Sequence, residues 1–368
     1  MKRLHVAIGA VLGTTGGPAT YARELVAAID ALGEEDLELT VLADRPDLLG
    51  PLARTRVVEV PLRSPWAQPL WDNLAIPAQL RRLRPDVYHG TKHALPLVGM
   101  PRSTFAVVTI HDLAVKAEPE TFARAQRLQL DVHLRHAARR ADRVICVSRH
   151  AAEDVERGLG IAAERIRVVH HGISPRFAPI DDAAERRRIR RRWVPDGAYL
   201  VSFVGTAQPR KRVEVAVEAV DLLRREGMPV VLVVAGRRRP GFEPSWMSSP
   251  PPCVRLAGEL SDEELVQLYA VSDVMVSPSS FEGFGFTFVE AMACGCPVIG
   301  VDATSVPEVV GDGGLLVERP DTPLVARALA RLLRDPEERA ALAARARARA
   351  REFSWESAAR RTLEAYRR

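Results

Sequence analysis

The sequence of 368 residues contains no continuous run of about 18 apolar residues, so it predicts no transmembrane helix. Its first residues combine two basic side chains with an apolar run that soon reaches a glycine-rich loop. A secretory signal peptide would need a longer apolar segment and a cleavage site, so we expect a strand at this position. These absences favour a cytoplasmic protein.

Cysteine is scarce, with only four positions: Cys146, Cys253, Cys294 and Cys296. None of their spacings matches a zinc site, which requires a C-x2-C pair together with a second pair of ligands. We therefore expect reduced structural thiols, as is usual in a cytosolic protein.

Neither sign of charge is in large excess: 27% of the residues are charged, but the net charge is only +5. This mild basic bias argues against a dedicated nucleic-acid-binding protein and suits an anionic small molecule or an acidic membrane surface. Two arginine-rich segments, residues 185–193 and 338–352, are predicted to be solvated helix faces. Binding to a membrane surface or an acidic partner is the alternative interpretation.

The features that are present indicate two α/β domains. Hydrophobic residues make up 47% of the chain, enough for each half to bury a core. Apolar strand-like runs alternate with amphipathic helical segments, first up to about residue 175 and then again from residue 176 to 353. This alternation predicts two doubly wound parallel sheets facing across a cleft, with ligands bound beyond the carboxyl ends of the strands.

Residues 281–300, FEGFGFTFVEAMACGCPVIG, concentrate the residues that could carry chemistry. Glu282 follows a predicted strand, and Glu290 lies one turn inside a helix that we expect to begin near Thr287. The intervening glycines permit close approach of a ligand, and the helix N-terminus can bind a phosphate. Two carboxylates that accept hydrogen bonds from hydroxyls on either side of a phosphate indicate a nucleotide sugar. The alternative is that both glutamates are ordinary cap and surface residues.

The pattern Glu-x7-Glu within EGFGFTFVEAMACGCPVI resembles the hallmark of the retaining glycosyltransferases of family 4, which have the GT-B fold. Further segments resemble the family in the same order along nearly the whole chain, among them GTTGGPATYARELVAAI, VVTIHDL, ADRVICVS, VGTAQPRKR, SVPEVVGDGG and FSWESAARRTLEAYRR. The resemblance implies a GT-B fold: an acceptor-binding domain at residues 1–175, a donor-binding domain at residues 176–353, and a C-terminal helix at about residues 354–368 that crosses back to the first domain.

For the second domain, the resemblance assigns Glu290 to the nucleotide ribose and Glu282 to the donor sugar, near its 3-hydroxyl. It also implies that one short stretch lines the sugar and phosphate: Gly283, Phe284, Gly285, Phe286 and Thr287.

Lys211 matches the family lysine that neutralises the donor diphosphate. Many members carry an arginine five positions earlier, where this chain has Thr206, and the neighbouring Arg210 is expected to supply the missing charge. The alternative for this PRKR segment is a basic first turn of a helix. Because cations there oppose the helix dipole, we favour a nearby anion.

In the first domain, Gly16 and Gly17 match the family loop beside the diphosphate and the acceptor, although a plain strand-to-helix turn would also explain them. His111 follows a predicted strand and matches a family histidine near the transferred sugar; without the resemblance, a structural histidine would be favoured. Asp112 could orient that imidazole or cap the next helix. We expect His170 and His171 to be hinge or packing residues.

The resemblance implies a hexosyltransferase that retains the anomeric configuration through a front-face substitution, in which the leaving diphosphate accepts the acceptor proton. No carboxylate nucleophile is expected, unlike in retaining glycosidases. The chain contains no Asp-x-Asp, which would have indicated a metal-bound diphosphate. The positive groups can replace the metal, so we predict that no metal or other cofactor is required.

Three other functions remain open on the sequence alone. A glycosidic-bond phosphorylase shares the fold but has a longer chain and a pyridoxal-phosphate lysine motif. A dinucleotide oxidoreductase would need G-x-G-x-x-G after the first strand. The third is a non-catalytic nucleotide-sugar-binding subunit or sensor.

The donor is left between GDP-mannose and a UDP-glucose-type sugar, partly because the backbone around residues 255–260, which would line the base pocket, says little about the base. The acceptor would be a cell-surface polysaccharide, a lipid-linked glycan or a small metabolite. No nucleic-acid partner is expected. Peripheral contact with the inner membrane leaflet is compatible with basic patches such as Arg81–Arg84.

Overall fold

The computed structural model describes residues 3–13, 16–62, 67–239 and 241–367. Contacts divide the chain into two compact units, Met1–Gly172 together with Ser354–Arg368, and Ile173–Phe353. The first break lies three residues before the predicted boundary at residue 175. Among the described residues, no helix is both long enough and apolar enough to cross a bilayer.

The first unit is built on a parallel sheet of seven strands in the order β3-β2-β1-β4-β5-β6-β7. Its central strands are buried on both faces and consist almost entirely of apolar residues, as parallel sheets covered by helices require. The strands are β1 Leu4–Ala10, β2 Leu37–Ala43, β3 Arg56–Glu59, β4 Val87–Gly90, β5 Phe105–Ile110, β6 Arg143–Cys146 and β7 Ile166–Val168.

Helices of the first unit connect these strands. They are α1 Gly17–Leu32, α2 Gln68–Leu70, α3 Ile76–Leu83, α4 Ala114–Ala117, α5 Arg124–Arg140 and α6 Arg149–Leu159. Helix α1 begins four residues before its first buried side chain, Tyr21, because Gly16 forms its N-cap and Pro18 lies in its first turn. A π-helical turn, Trp71–Ala75, joins α2 to α3, so residues 68–83 form one continuous helical segment.

The second unit holds a parallel sheet of six strands in the order β10-β9-β8-β11-β12-β13. Its strands are β8 Tyr199–Val204, β9 Val230–Ala235, β10 Val254–Gly258, β11 Val274–Ser277, β12 Val298–Val301 and β13 Gly314–Val317. A core of valine, leucine and alanine side chains fills the space between this sheet and the helices that flank it.

The helices of the second unit are α7 Ala183–Arg190, α8 Val213–Arg225, α9 Ser245–Ser248, α10 Asp262–Val271, α11 Phe286–Ala293, α12 Val306–Val310, α13 Thr322–Arg334 and α14 Pro336–Ala350. Helix α10 begins with a capping box, in which Ser261 and Glu264 each bond the other's backbone N–H. Helix α11 begins at Phe286, one residue before the predicted start.

The last helix, α15 Trp355–Tyr366, belongs to the first unit. Ser354 caps it by accepting a hydrogen bond from Ser357 N. Gly172 lies directly against the start of this helix, where a Cβ atom would clash with the backbone of Trp355. Glycine is therefore required where the two segments of the first unit meet.

Candidate active site

The second unit brings its predicted site residues together at the carboxyl ends of adjacent strands. Lys211 ends a short 3-10 turn that follows β8, Glu282 lies in the loop after β11, and Thr304 lies in the loop after β12. Because β8, β11 and β12 are neighbours in a parallel sheet, loops that are far apart in sequence meet at one edge.

Arg210, Lys211 and Glu282 form a compact ionic cluster. Lys211 Nζ donates a hydrogen bond to Glu282 Oε1 at 2.5 Å, and Arg210 Nη1 lies 3.6 Å from Glu282 Oε2. Lys211 and Glu282 are both buried, with 9% and 5% of their surface exposed. Ion pairs in such a site are screened little by salt.

The cluster carries one surplus positive charge. Burial alone would raise the pKa of Glu282, but the adjacent Lys211 and Arg210 outweigh it and hold this pKa below its ordinary value. Glu282 is therefore ionised at neutral pH and balances one of the two cations. The three side chains together carry a net positive charge, which favours an anion nearby.

Neighbouring loops hold Glu282 in place through its backbone. Glu282 N donates to Thr304 Oγ1 at 3.1 Å, and Ser305 Oγ donates to Glu282 O at 2.9 Å. Thr304 and Arg212 both adopt left-handed backbone conformations, with φ of 55° and 47°. Such strained non-glycine residues concentrate at functional sites.

The segment between the two glutamates turns sharply into α11. Gly285 has φ of 92° and forms the N-cap, a conformation that favours glycine. Phe284 is buried and its ring packs edge-on against Phe286 and Phe353, so its side chain is anchored. The N-terminus of the eight-residue helix carries a partial positive charge that suits a phosphate.

Glu290 lies in the second turn of α11 and is partly buried. Its Oε2 accepts a hydrogen bond from the buried Tyr269 hydroxyl at 3.2 Å. Burial raises the pKa of Glu290 to about 7, only partly offset by the Tyr269 hydrogen bond. This carboxyl group therefore titrates near neutral pH.

Thr206 is exposed in the loop after β8, before the 3-10 turn that carries Arg210 and Lys211. Arg210 is fixed by donating from Nη1 to Phe281 O at 2.7 Å, and its own carbonyl accepts from Ser280 N at 2.9 Å. That Arg210 supplies the charge that Thr206 lacks stays a prediction.

In the first unit, His111 immediately follows β5 and is buried. Its Nε2–H donates to Thr91 O at 2.9 Å, which leaves Nδ1 as an acceptor in the neutral imidazole. Burial, reinforced by the neighbouring His93, lowers the pKa of His111 to about 3. His111 is thus a neutral group that can accept a hydrogen bond from a hydroxyl.

His93 was not identified from the sequence, yet it packs against His111 with ring centroids 5.2 Å apart. Its φ of 54° is left-handed, and its Nδ1 accepts from His111 N at 3.4 Å. Burial lowers the pKa of His93, so its Nε2 carries the proton as a neutral donor. Asp112 precedes the N-cap of α4, and its Oδ1 accepts from Ala114 N at 3.0 Å.

An aromatic and hydroxyl network lies behind His111. The Tyr21 ring packs edge-on against His111 at 5.0 Å, and its hydroxyl bonds Thr109 Oγ1 at 2.9 Å. Thr109 also bonds His89 Nε2 at 2.7 Å. His171 is buried against Tyr21 at 4.8 Å, in agreement with its predicted packing role.

The loop after β1 is held by Asp44, a residue that the sequence did not single out. Its two carboxylate oxygens accept from Leu12 N at 2.5 Å and from Gly13 N at 3.0 Å. Gly16 forms the N-cap of α1, and Gly17 is the first residue of that helix. In a dinucleotide oxidoreductase, an acid after the second strand would bind the cofactor ribose. Here Asp44 follows β2, but both of its carboxylate oxygens accept hydrogen bonds from backbone N–H groups.

Two doubly wound parallel sheets, with charged groups at their carboxyl edges, define the chain as a member of the GT-B class of glycosyltransferases. The family model described as Glycosyl transferases group 1 matches residues 185–349, and the one described as Glycosyltransferase Family 4 matches residues 15–177. The chain belongs to glycosyltransferase family 4, which confirms the predicted fold class and family.

Named relatives and solved structures agree with this assignment. The chain is 30% identical to O-antigen chain mannosyltransferase B of Escherichia coli over 78% of its own length and 75% of that protein. It is 30% identical to D-inositol 3-phosphate glycosyltransferase of Salinispora tropica over 72% of its length, but spans only 57% of that relative.

Two solved structures share the fold. Sucrose-phosphate synthase of Thermosynechococcus elongatus superimposes with a TM-score of 0.80 at 22% identity, covering 99% of this chain and 98% of that chain. Anabaena HepE in complex with UDP-glucose superimposes with a TM-score of 0.74 at 19% identity, covering 98% of each chain.

Proposed function

We propose that the protein transfers a hexosyl unit from a nucleotide diphosphate sugar to a hydroxyl acceptor, with retention of the anomeric configuration and without a metal ion. The observation that carries this proposal is the buried cluster of Arg210, Lys211 and Glu282 beside the N-terminus of α11. One surplus cation and a helix N-terminus are suited to stabilise a departing diphosphate.

In this reaction the acceptor oxygen bonds to the anomeric carbon on the face from which the diphosphate leaves. The acceptor proton passes to a phosphate oxygen of the leaving group. Lys211 and Arg210 stabilise the negative charge on that group, Glu282 holds a sugar hydroxyl, and Glu290 accepts hydrogen bonds from the ribose. Neutral His111 accepts a hydrogen bond from the transferred sugar. Positioning and charge stabilisation then account for the rate acceleration.

The sugar in this proposal is mannose carried by GDP, with a UDP-glucose-type donor as the second choice. The similarity to an O-antigen mannosyltransferase supports the first, and the shared fold with a UDP-glucose-bound protein is compatible with the second. The acceptor is a lipid-linked or polysaccharide glycan at the inner face of the membrane, where the basic run Arg81–Arg84 would contribute to peripheral contact.

The first experiment is a thermal-shift panel with GDP, UDP, ADP and their common sugar conjugates. Because a ligand that binds only the folded state raises the melting temperature, one nucleotide is expected to give a clear shift. Turnover of the matching donor is then followed by nucleotide release with and without excess chelator, and the anomeric configuration of the product is read by NMR.

The Lys211→Ala variant is expected to lose on the order of 100- to 1,000-fold in turnover, because it removes the principal cation at the leaving group. Lys116→Ala, which removes the same charge from α4, is the matched control and should keep normal turnover. Nucleotide binding without transfer to any acceptor would instead support the non-catalytic binding subunit. Activity lost to chelator and restored by magnesium would refute metal independence.

A further inference from the structure

Among the exposed large apolar side chains of the first unit, five lie on neighbouring segments between residues 70 and 132. Leu70, Leu74, Val98, Leu128 and Val132 have 62%, 64%, 64%, 68% and 45% of their surface exposed. Single exposed apolar residues are common on soluble proteins, but a group of them on adjacent elements marks an interaction surface. We call these five residues the apolar cluster.

The three segments that carry the apolar cluster are joined by hydrogen bonds. Leu97 N donates to Asn73 Oδ1 at 2.7 Å, which fixes the loop of Val98 to the helical segment 68–83. On the other side of this loop, His136 of α5 bonds Pro96 O at 2.9 Å. The loop therefore lies between the two helical segments, and the exposed residues of all three belong to one region.

Each helical segment presents its apolar residues and its arginines along one exposed stripe. Leu70 and Leu74 are four residues apart and are followed, at helical spacing, by the exposed Arg81 and Arg82. On α5, Leu128 and Val132 are followed in the same way by exposed arginines at positions 135 and 139. Exposed apolar side chains flanked by arginines combine the two interactions that bind a protein to an anionic bilayer, apolar insertion and attraction to the headgroups.

Arginine is in excess around the cluster. The exposed arginines on or next to these segments are Arg81, Arg82, Arg84, Arg102, Arg124, Arg127, Arg135 and Arg139. The nearest acid on α5 is Asp131, which is already paired with Arg135 and Lys116. The helical segment 68–83 carries one further acid, Asp72, so the arginines outnumber the acids of these segments. The surface is therefore net cationic, and a second copy of it would be repelled.

We propose that the apolar cluster and its flanking arginines form the surface by which the protein docks on an anionic lipid bilayer. The apolar side chains insert below the headgroups, and the arginines bind anionic headgroups beside them. The inference rests on the proposed function for the membrane contact, but it names the surface, and its test needs neither donor nor acceptor.

The test is co-sedimentation of the full chain with vesicles of phosphatidylcholine and phosphatidylglycerol in equal amounts, or of phosphatidylcholine alone. Binding is expected with the anionic vesicles, and it should weaken as salt is raised. The double variant Leu70→Glu/Leu74→Glu should lower the partition coefficient by roughly ten-fold or more. Its matched control is Leu48→Glu/Leu222→Glu, which places the same charges at exposed leucines outside the apolar cluster.

A second pair of variants separates charge from apolar insertion. Arg81→Gln/Arg82→Gln is expected to lower binding to anionic vesicles by roughly ten-fold, whereas Arg187→Gln/Arg188→Gln on α7 should leave it unchanged. Melting curves and nucleotide shifts of each variant show that the fold and the donor site are intact, so failure of docking is distinguishable from failure of the proposed reaction.

Equal binding by the wild-type protein, Leu70→Glu/Leu74→Glu and Arg81→Gln/Arg82→Gln would overturn the proposal, as would equal losses in the matched controls. Sedimentation equilibrium in the absence of vesicles provides a further check. A dimer that dissociates in Leu70→Glu/Leu74→Glu would show that a second copy, and not a bilayer, covers this surface.

Discussion

At the scale of single residues, Glu282 and Glu290 are eight positions apart, yet their surroundings move their pKa values in opposite directions. Lys211 and Arg210 overcome burial at Glu282 and keep it ionised, whereas burial dominates at Glu290 and raises its pKa to about 7. One helix and its preceding loop thus hold one permanent charge and one that titrates near neutral pH.

Glu290→Gln should raise stability above neutral pH while it weakens nucleotide binding. Between about pH 4.5 and 7 the folded state keeps a proton on Glu290 that the unfolded chain has lost, so the free energy of unfolding falls as pH rises through this window. Glutamine cannot ionise, so the variant avoids this fall in the free energy of unfolding, which amounts to up to about 3 kcal/mol at pH 8. Melting temperatures at pH 4 and pH 8 measure the effect.

The exposed Glu263→Gln on α10 is the matched control and should show no such pH-dependent gain. For the wild-type protein, nucleotide affinity should increase as pH rises from 6 to 8, because an ionised Glu290 accepts ribose hydroxyls more strongly. A stability gain of the same size at pH 4 and pH 8 would contradict this account of Glu290.

At the scale of elements, helix α11 is positioned by a single left-handed glycine. Gly285 places the helix N-terminus beside the loop that carries Glu282. A Cβ at Gly285 would lie 2.9 Å from the ring of Phe288, a side chain that is itself fully buried. The glycine is therefore needed both for its backbone conformation and for the close approach of Phe288.

Gly285→Ala is expected to destabilise the second unit by more than the roughly 1 kcal/mol of left-handed backbone strain alone, and to weaken nucleotide binding. The matched control is Gly197→Ala, where φ is also left-handed at 84° but a Cβ would meet nothing. Calorimetric melting and nucleotide titration of both variants provide the comparison. Equal losses of stability would show that the Phe288 contact is unimportant.

Three strands at sheet edges lack a clear pattern in the sequence. β3, β10 and β13 are short and contain exposed or half-buried residues, so they lack the continuous apolar run that identified interior strands such as β1, β8 and β9. A strand that is buried on both faces has a continuous apolar run that can be recognised in the sequence. An edge strand forms instead by pairing with its one neighbouring strand, which the sequence pattern does not show.

The site was predictable to the extent that its residues form local motifs. Glu282 and Glu290 belong to one motif, and Lys211 to another. Thr304 and Asp44 were not predictable, because each acts through hydrogen bonds to backbone groups more than twenty residues away. These two residues belong to the site because of tertiary contacts, which a sequence motif does not show.

At the scale of the whole molecule, the first unit is built from two separate pieces of chain. Helix α15 supplies Tyr366, whose hydroxyl bonds His89 Nδ1 at 2.7 Å, and Trp355, whose ring packs 5.9 Å from His171. The network behind His111 is therefore completed by residues that follow the entire second unit in sequence.

Deletion of residues 354–368 should destabilise the first unit while the second keeps its nucleotide binding. The deletion removes helix α15, which packs against α1, and it removes the Tyr366 hydroxyl that bonds the buried His89. Differential scanning calorimetry should then show an additional transition at lower temperature that nucleotide does not shift. Tyr366→Phe, which removes only the hydroxyl, should cost about 1 to 3 kcal/mol. A single transition at the wild-type temperature would contradict this role of α15.

The close approach of Gly172 to Trp355 has a consequence for the order of events during synthesis. Domains usually fold as units, N-terminal first, as the chain leaves the ribosome. Here the first unit to emerge lacks one of its own helices until all of Ile173–Phe353 has been translated. During this interval the surface of the nascent first unit that α15 later covers is exposed to solvent. Such exposed surface favours aggregation and chaperone binding.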